Sequence, residues 1–250
     1  MQFWHIACVT INNINYSGSI MASKQYGFTL IEIAIVLVII GLLLGGVLKG
    51  QELINGARVK NLAGDFRIVP IFIYGYQDKF KALPGDDLNL ATHLAGLPVA
   101  PVPCTTPGTA GLCNPGSGVI DGGWDANSVA AETYVFWQHV RLAGFAPGST
   151  TPGTLDYVPI NAFGGKIGIT NAAQTPIQGL TGAYIICSNL IPGKFAKLLD
   201  IALDDGETST GFVRVVPAAT SPTPQGALAP LPTTTALVND DNLYLVCMRY

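Results

Sequence analysis

The twenty residues 27–46, GFTLIEIAIVLVIIGLLLGG, contain a single ionisable side chain, Glu32. A charge inside a membrane-length apolar run is costly, so such a carboxylate normally has both a partner and a task. Three other groups have side chains that can do chemistry. Cys104, Cys113, Cys187 and Cys247 can pair as disulfides; zinc is the competing use, but no two of them are spaced C-x-x-C and no histidine stands beside them. Asp204, Asp205 and Glu207, in LDDGETSTG, cluster the oxygen ligands that calcium takes. The EF-hand pattern fails there, because placing Gly206 at the sixth loop position puts Ile201 where the first Asp belongs, and a solvated turn after a helix explains the same carboxylates. His139 is a lone imidazole near Phe136, Trp137 and Val140 with no triad partners in sequence, and it reads as a helix packing residue. No phosphate loop, dinucleotide fingerprint or paired-acid motif occurs elsewhere, and no catalytic residue is assigned.

These groups need elements to position them. Residues 28–48 form an apolar helix of 21 residues, long enough to span a bilayer and longer than the core of a removable secretory signal. Beyond it, Val59, Leu62, Phe66, Val69, Ile73, Tyr76, Phe80 and Leu83 recur at steps of three and four, which predicts that the helix continues with one buried seam over residues 49–83. Pro70 lies inside that pattern and cannot donate to the carbonyl of Phe66, so a kink is expected. Gly45, Gly46 and Gly50 weaken the helix after the apolar run, and Gly41 with Gly45 form a small-x-x-x-small pair that permits close helix approach. The helix stops at Pro84 and Gly85, and a loop-rich region runs to Asp121. A second helix is predicted in DANSVAAETYVFWQHVRLAGF, capped by Asp125, Asn127 or Ser128 and ended by Gly144, and a third begins at Pro192. GKIGIT, AYIICSNL, FVRVVPA and NLYLVCMRY have the β-branched and aromatic enrichment of strands.

Charged residues make up only 12% of the chain and are unevenly placed. Residues 28–83 hold six bases against four acids, whereas residues 84–250 hold six bases against twelve acids. An acidic domain repels phosphate, so nucleic acid is not the expected partner.

The G-F-T-L-I-E string that opens the apolar run, preceded by a polar segment containing Lys24, resembles the processing site of type IV prepilins and type II secretion pseudopilins. ALPGDD, WQHVRLAG, the D-x-x-LDDG-x-x-x-TG run and the terminal C-M-R-Y add a looser likeness to large prepilin-type proteins. The resemblance implies an α+β, pilin-like fold: a long N-terminal helix whose first half spans the membrane, packed on a C-terminal antiparallel β-sheet domain with additional helices. It implies cleavage after Gly27 by prepilin peptidase, N-methylation of Phe28 by the same enzyme, and retention of Glu32 as the assembly residue that meets a neighbouring subunit's Phe28 amine. The organisation that follows is a leader at 1–27, a transmembrane and filament-core helix at 28–48, its amphipathic continuation at 49–83 and a globular periplasmic or extracellular domain at 84–250. Met21, opening MASKQYG, is expected as the true start, since the longer leader is unlike the short basic leaders of this family. Sister pilin or pseudopilin subunits and the inner membrane are the implied partners, and no cofactor is implied. Some pseudopilins bind calcium in a C-terminal loop, which keeps Asp204, Asp205 and Glu207 open as ligands. With Cys8 in the leader, four cysteines remain and allow three connectivities, of which 104 with 113 and 187 with 247 is the economical one. The expected function is a structural, non-enzymatic filament subunit; the alternative is a membrane-anchored exported enzyme or binding domain that uses the signal for export alone.

Overall fold

The apolar run and the seam behind it form one element, the 51-residue helix α1 (Leu30–Phe80). The computed structural model describes residues 27–104, 113–218 and 238–250; the expected leader up to residue 26, with Cys8 and Met21, and the TTPGTAGL stretch between Cys104 and Cys113, lie outside the described residues. The chain divides into two units, one ending at Lys49 and the other Gly50–Tyr250.

In the first unit the helix is apolar on every face and every described residue up to Leu48 is exposed, with Leu30 at 89% and Leu42 at 73%. A helix hydrophobic all round finds its stabilisation in lipid or in other helices.

In the second unit the seam is buried as the spacing predicts: Leu62, Phe66, Val69, Ile73 and Tyr76 are nearly or wholly inaccessible. The helix runs through Pro70. The Phe66 carbonyl, which Pro70 cannot serve, accepts a hydrogen bond from the Tyr250 hydroxyl at 2.8 Å. The helix stops at Phe80, three residues short of the predicted end, where Lys81 turns to a positive φ of 56°. Leu83 still packs at the edge of the core from the following loop.

Four strands form one antiparallel sheet in the order β1-β2-β4-β3: β1 (Ile167–Thr170), β2 (Ile185–Pro192), β3 (Val213–Pro217) and β4 (Leu243–Arg249). The last strand is therefore internal, between β2 and β3. Alternation of side chains along it sends Tyr244, Val246 and Met248 into the main core, and Leu245 and Cys247 into a smaller cluster with Ile177, Leu180, Ile185, Cys187 and Val216. Burial on both faces is why these strands read as near-continuous apolar runs.

The main core joins Leu62, Phe66, Val69 and Ile73 of α1 to residues of the sheet and of two further helices, α3 (Glu132–Leu142) and α4 (Gly193–Leu203). A one-turn helix α2 (Leu90–His93) interrupts the loop region. The helix α3 begins later than its capping residues suggested: Asp125, Asn127 and Ser128 lie in the irregular segment before it, and the N-cap is Ala131, without a side-chain cap. The Asp121 carbonyl takes the Thr133 amide instead, so tertiary contact replaces a local cap. Its other end follows the sequence: Gly144 has φ 84°, and the Phe145 amide reaches back to the Val140 carbonyl at 2.9 Å, closing a Schellman motif. Pro192 proves to be the N-cap of α4 and the last residue of β2.

Candidate functional site

Gly27, Phe28 and Thr29 precede α1 outside any helix or strand and are exposed, Phe28 at 83%. Nothing lies within 4 Å of the place a Gly27 side chain would occupy, so the peptide bond after it is open. Glu32 stands in the first turn of α1. Its Oε2 accepts from both the Thr29 amide and the Thr29 hydroxyl, each at 2.8 Å, while the Glu32 amide donates to the Thr29 hydroxyl oxygen at 3.3 Å. This reciprocal pair is a capping box that satisfies the first free amides of the helix. Among the described residues, the hydrogen bonds that Glu32 accepts fall on Oε2. Thr29 was missed as a functional position, although Thr-x-x-Glu before an apolar run is its signature.

The cysteines fall in two places. Cys187 and Cys247 face each other across β2 and β4, with Cα atoms 4.1 Å apart, and are joined as a disulfide in the smaller core cluster. Cys104 and Cys113 are joined with Cα atoms 5.8 Å apart and lie buried against Val135 of α3.

The loops between α1 and α3 are held by buried carboxylates that take backbone amides. Asp86 accepts from Ser117 and Gly118 at 2.9 and 2.7 Å. Asp87 accepts from the Tyr76 hydroxyl and the Asn89 amide at 2.7 and 2.9 Å, and lies 2.7 Å from His93 Nδ1. Glu132 accepts from Asn114 and Asp121 at 2.6 and 2.8 Å, and burial pushes its carboxyl up to about 7 despite those bonds. Gly85, at φ 97°, passes so close to α3 that a Cβ would lie 2.7 Å from the Glu132 carbonyl oxygen. Its amide donates to His139 Nδ1 at 2.9 Å, and His139 Nε2 stands 2.9 Å from the Val102 carbonyl, so the ring is the Nε2–H tautomer. Burial lowers its pKa to about 4. The ALPGDD motif and His139 therefore form a loop clamp.

At the far end of α4, Asp204 Oδ2 accepts from the amides of Phe212 and Val213. Asp205 accepts from the Glu207 amide at 2.9 Å and the Thr210 hydroxyl at 2.8 Å. Asp204 and Asp205 approach Asp200, which heads the D-x-x-LDDG run but was not expected among the ligand candidates; its i, i+4 spacing to Asp204 on a helix was the available signal. Glu207 does not join this group; its carboxylate accepts from Ser209. Burial, then repulsion from Asp204, Asp205 and Glu207, push the Asp200 carboxyl up to about 7.

Compared with known protein families, residues 22–48 match the prokaryotic N-terminal methylation motif, the type IV prepilin-type signal. The chain has no significant match among curated proteins or solved structures.

Proposed function

We propose, from the type IV prepilin-type signal that the chain carries, that it is a structural subunit of a type IV pilus-like filament or of a type II secretion pseudopilus. Prepilin peptidase removes the leader ending at Gly27 and N-methylates Phe28. Residues 28–48 then hold the protein in the inner membrane as a single pass, with residues 84–250 on the periplasmic side, until the helix passes into a filament core beside those of sister subunits.

The observation that carries this reading is the matched motif placed on an open Gly27–Phe28 bond ahead of an apolar helix. Glu32 fits the assembly role because its capping box uses one carboxylate oxygen and leaves the other for a cation. Processing creates that cation, an α-amino group titrating near 8 and so mostly charged at neutral pH. A shared ion pair inside the filament offsets the desolvation of both members. Asp86, Glu132 and His139 of the globular domain are occupied in holding loops, which supports a structural rather than a catalytic task for them.

Mass spectrometry of the mature amino terminus tests the reading, together with fractionation into inner membrane and sheared filament. The expected result is N-methylated Phe28 and recovery of the chain in the filament pool. An intact leader with the chain confined to the membrane would instead identify an export anchor.

A further inference from the structure

In the terminal C-M-R-Y run, Cys247 is joined to Cys187, Met248 packs at the core and the Tyr250 hydroxyl serves the Phe66 carbonyl, which leaves Arg249 without a task. Register places it beside a second arginine. Arg214 of β3 stands opposite Cys247 of β4, so Arg249, two residues further along β4, is its diagonal neighbour on the sheet face turned away from the main core. Such neighbours lie roughly 7 to 8 Å apart, within reach of long side chains, and like charges so placed repel. Arg214 Nη1 donates to the Gln178 carbonyl at 2.9 Å and Arg249 Nη1 to the Thr181 carbonyl at 3.4 Å, which pins both heads to the loop crossing this face. Arg249 also lies over the Phe212 ring, 4.5 Å from its centroid. The buried Nε of each arginine has no hydrogen-bond partner, and among the described residues no bond falls on either Nη2. Those residues include all 16 acidic side chains of the chain, and neither arginine pairs with one. By contrast, Arg141 spends its donors on the carbonyls of Pro147, Ser149 and Tyr157, and Lys197 pairs with Asp240.

We propose that Arg214 and Arg249 clamp one carboxylate on an acidic segment of a partner protein, with Phe212 taking an apolar side chain next to it. A guanidinium presents its donors in a plane that matches a carboxylate, and one carboxylate between two guanidiniums offsets a repulsion that the chain's own acids leave standing. Residues 84–250 hold twelve acids against six bases, so a polyanion is repelled by the surroundings and a singly charged group meets the least of that field. Phe212 is 52% exposed beside the clamp, and a protein segment can cover both, whereas a free inorganic anion uses the arginines alone. This clamp does not depend on the filament reading and survives its failure.

The Nε–H resonances of the full-length chain in detergent, isotope-labelled at its five arginines, test the proposal. The probe is acetyl-glutamyl-leucine amide, with its glutaminyl counterpart and sodium phosphate as comparisons. The glutamyl peptide should shift the Arg214 and Arg249 signals together along one saturating curve and leave Arg58, Arg67 and Arg141 in place, while the glutaminyl peptide shifts none. In Arg249→Gln the remaining Arg214 signal should lose its saturating shift, and Arg214→Gln should do the same to Arg249. An unmoved Arg141 signal in each variant, held by its three carbonyls, reports an intact fold and separates lost binding from general damage. The proposal is overturned if the glutamyl peptide gives no saturating shift at tens of millimolar, if it moves all five signals alike, if both variants keep the wild-type curve, or if phosphate binds more tightly than the peptide.

Discussion

Replacing the Tyr250 hydroxyl isolates one consequence of Pro70. Proline at that position removes the amide that would serve the Phe66 carbonyl, and the Tyr250 hydroxyl takes its place at 2.8 Å. Phe66 is 1% exposed, so the carbonyl has little access to water once that hydroxyl is gone. Leaving a buried acceptor unpaired costs about 1 to 3 kcal/mol. Tyr250 is itself half-buried and stacks on Tyr184 with ring centroids 5.4 Å apart, a contact that phenylalanine keeps. We therefore expect Tyr250→Phe to lose about 1.5 kcal/mol, a fall of about 3 to 6 °C in Tm for a unit of this size. Pro70→Ala restores an amide for the carbonyl. In that background the same Tyr250→Phe change should cost only about 0.5 kcal/mol, giving a coupling of about 1 kcal/mol by double-mutant cycle. The four proteins are compared by thermal and urea melts in one detergent, and the cycle cancels the packing lost with the proline ring. Equal costs of Tyr250→Phe in both backgrounds would refute the idea that the hydroxyl substitutes for the missing amide.

Glu32→Gln and Glu32→Ala separate capping from charge: glutamine keeps the capping box, so if the carboxylate's charge is the assembly contact, both variants should be cleaved, remain in the membrane and be depleted from sheared filaments. Normal incorporation of the glutamine variant would reduce Glu32 to a helix cap. The two disulfides should differ in worth, because loops of 60 and 9 residues correspond to about 4 and 2.6 kcal/mol in the chain-entropy model. Urea melts of Cys187→Ser/Cys247→Ser and Cys104→Ser/Cys113→Ser proteins check that order, and its reversal would contradict the argument. His139, held neutral with a pKa near 4, binds fewer protons folded than unfolded between pH 4 and 6.5, so its contribution is present above that window and lost as pH falls through it. Between pH 7 and 4.5 the loss is on the order of 2 kcal/mol, and His139→Gln should show that much less destabilisation over the same range; parallel pH profiles for the two proteins would count against a buried neutral ring. Glu132, raised to about 7, acts in the opposite direction because its folded form holds a proton that the unfolded chain releases, so Glu132→Gln should steepen the acid loss. An unchanged slope would mean that Glu132 does not titrate in that range.

Local pattern alone determined the elements that rest on periodicity or on backbone stereochemistry. The membrane-length apolar run, the buried seam from Leu62 to Tyr76, the four apolar strands and the Gly144 helix end could be read because each depends on residues a few positions apart. The unused Phe66 carbonyl was also legible, since it follows from Pro70 directly. Its partner was not, because Tyr250 reaches it across 184 positions of sequence. The start of α3 escaped for the same reason: Ala131 offers no capping side chain, and the amide it leaves free is taken by a carbonyl that only the fold brings near. Three acidic residues in LDDGE looked alike on paper, and tertiary structure separated them by fixing Asp204 to β3, turning Asp205 to the Thr210 hydroxyl and Glu207 to the Ser209 hydroxyl. Sequence specifies which groups a residue carries, but burial decides whether a carboxylate is hydrated or hydrogen-bonded, and burial is a property of the whole packed chain.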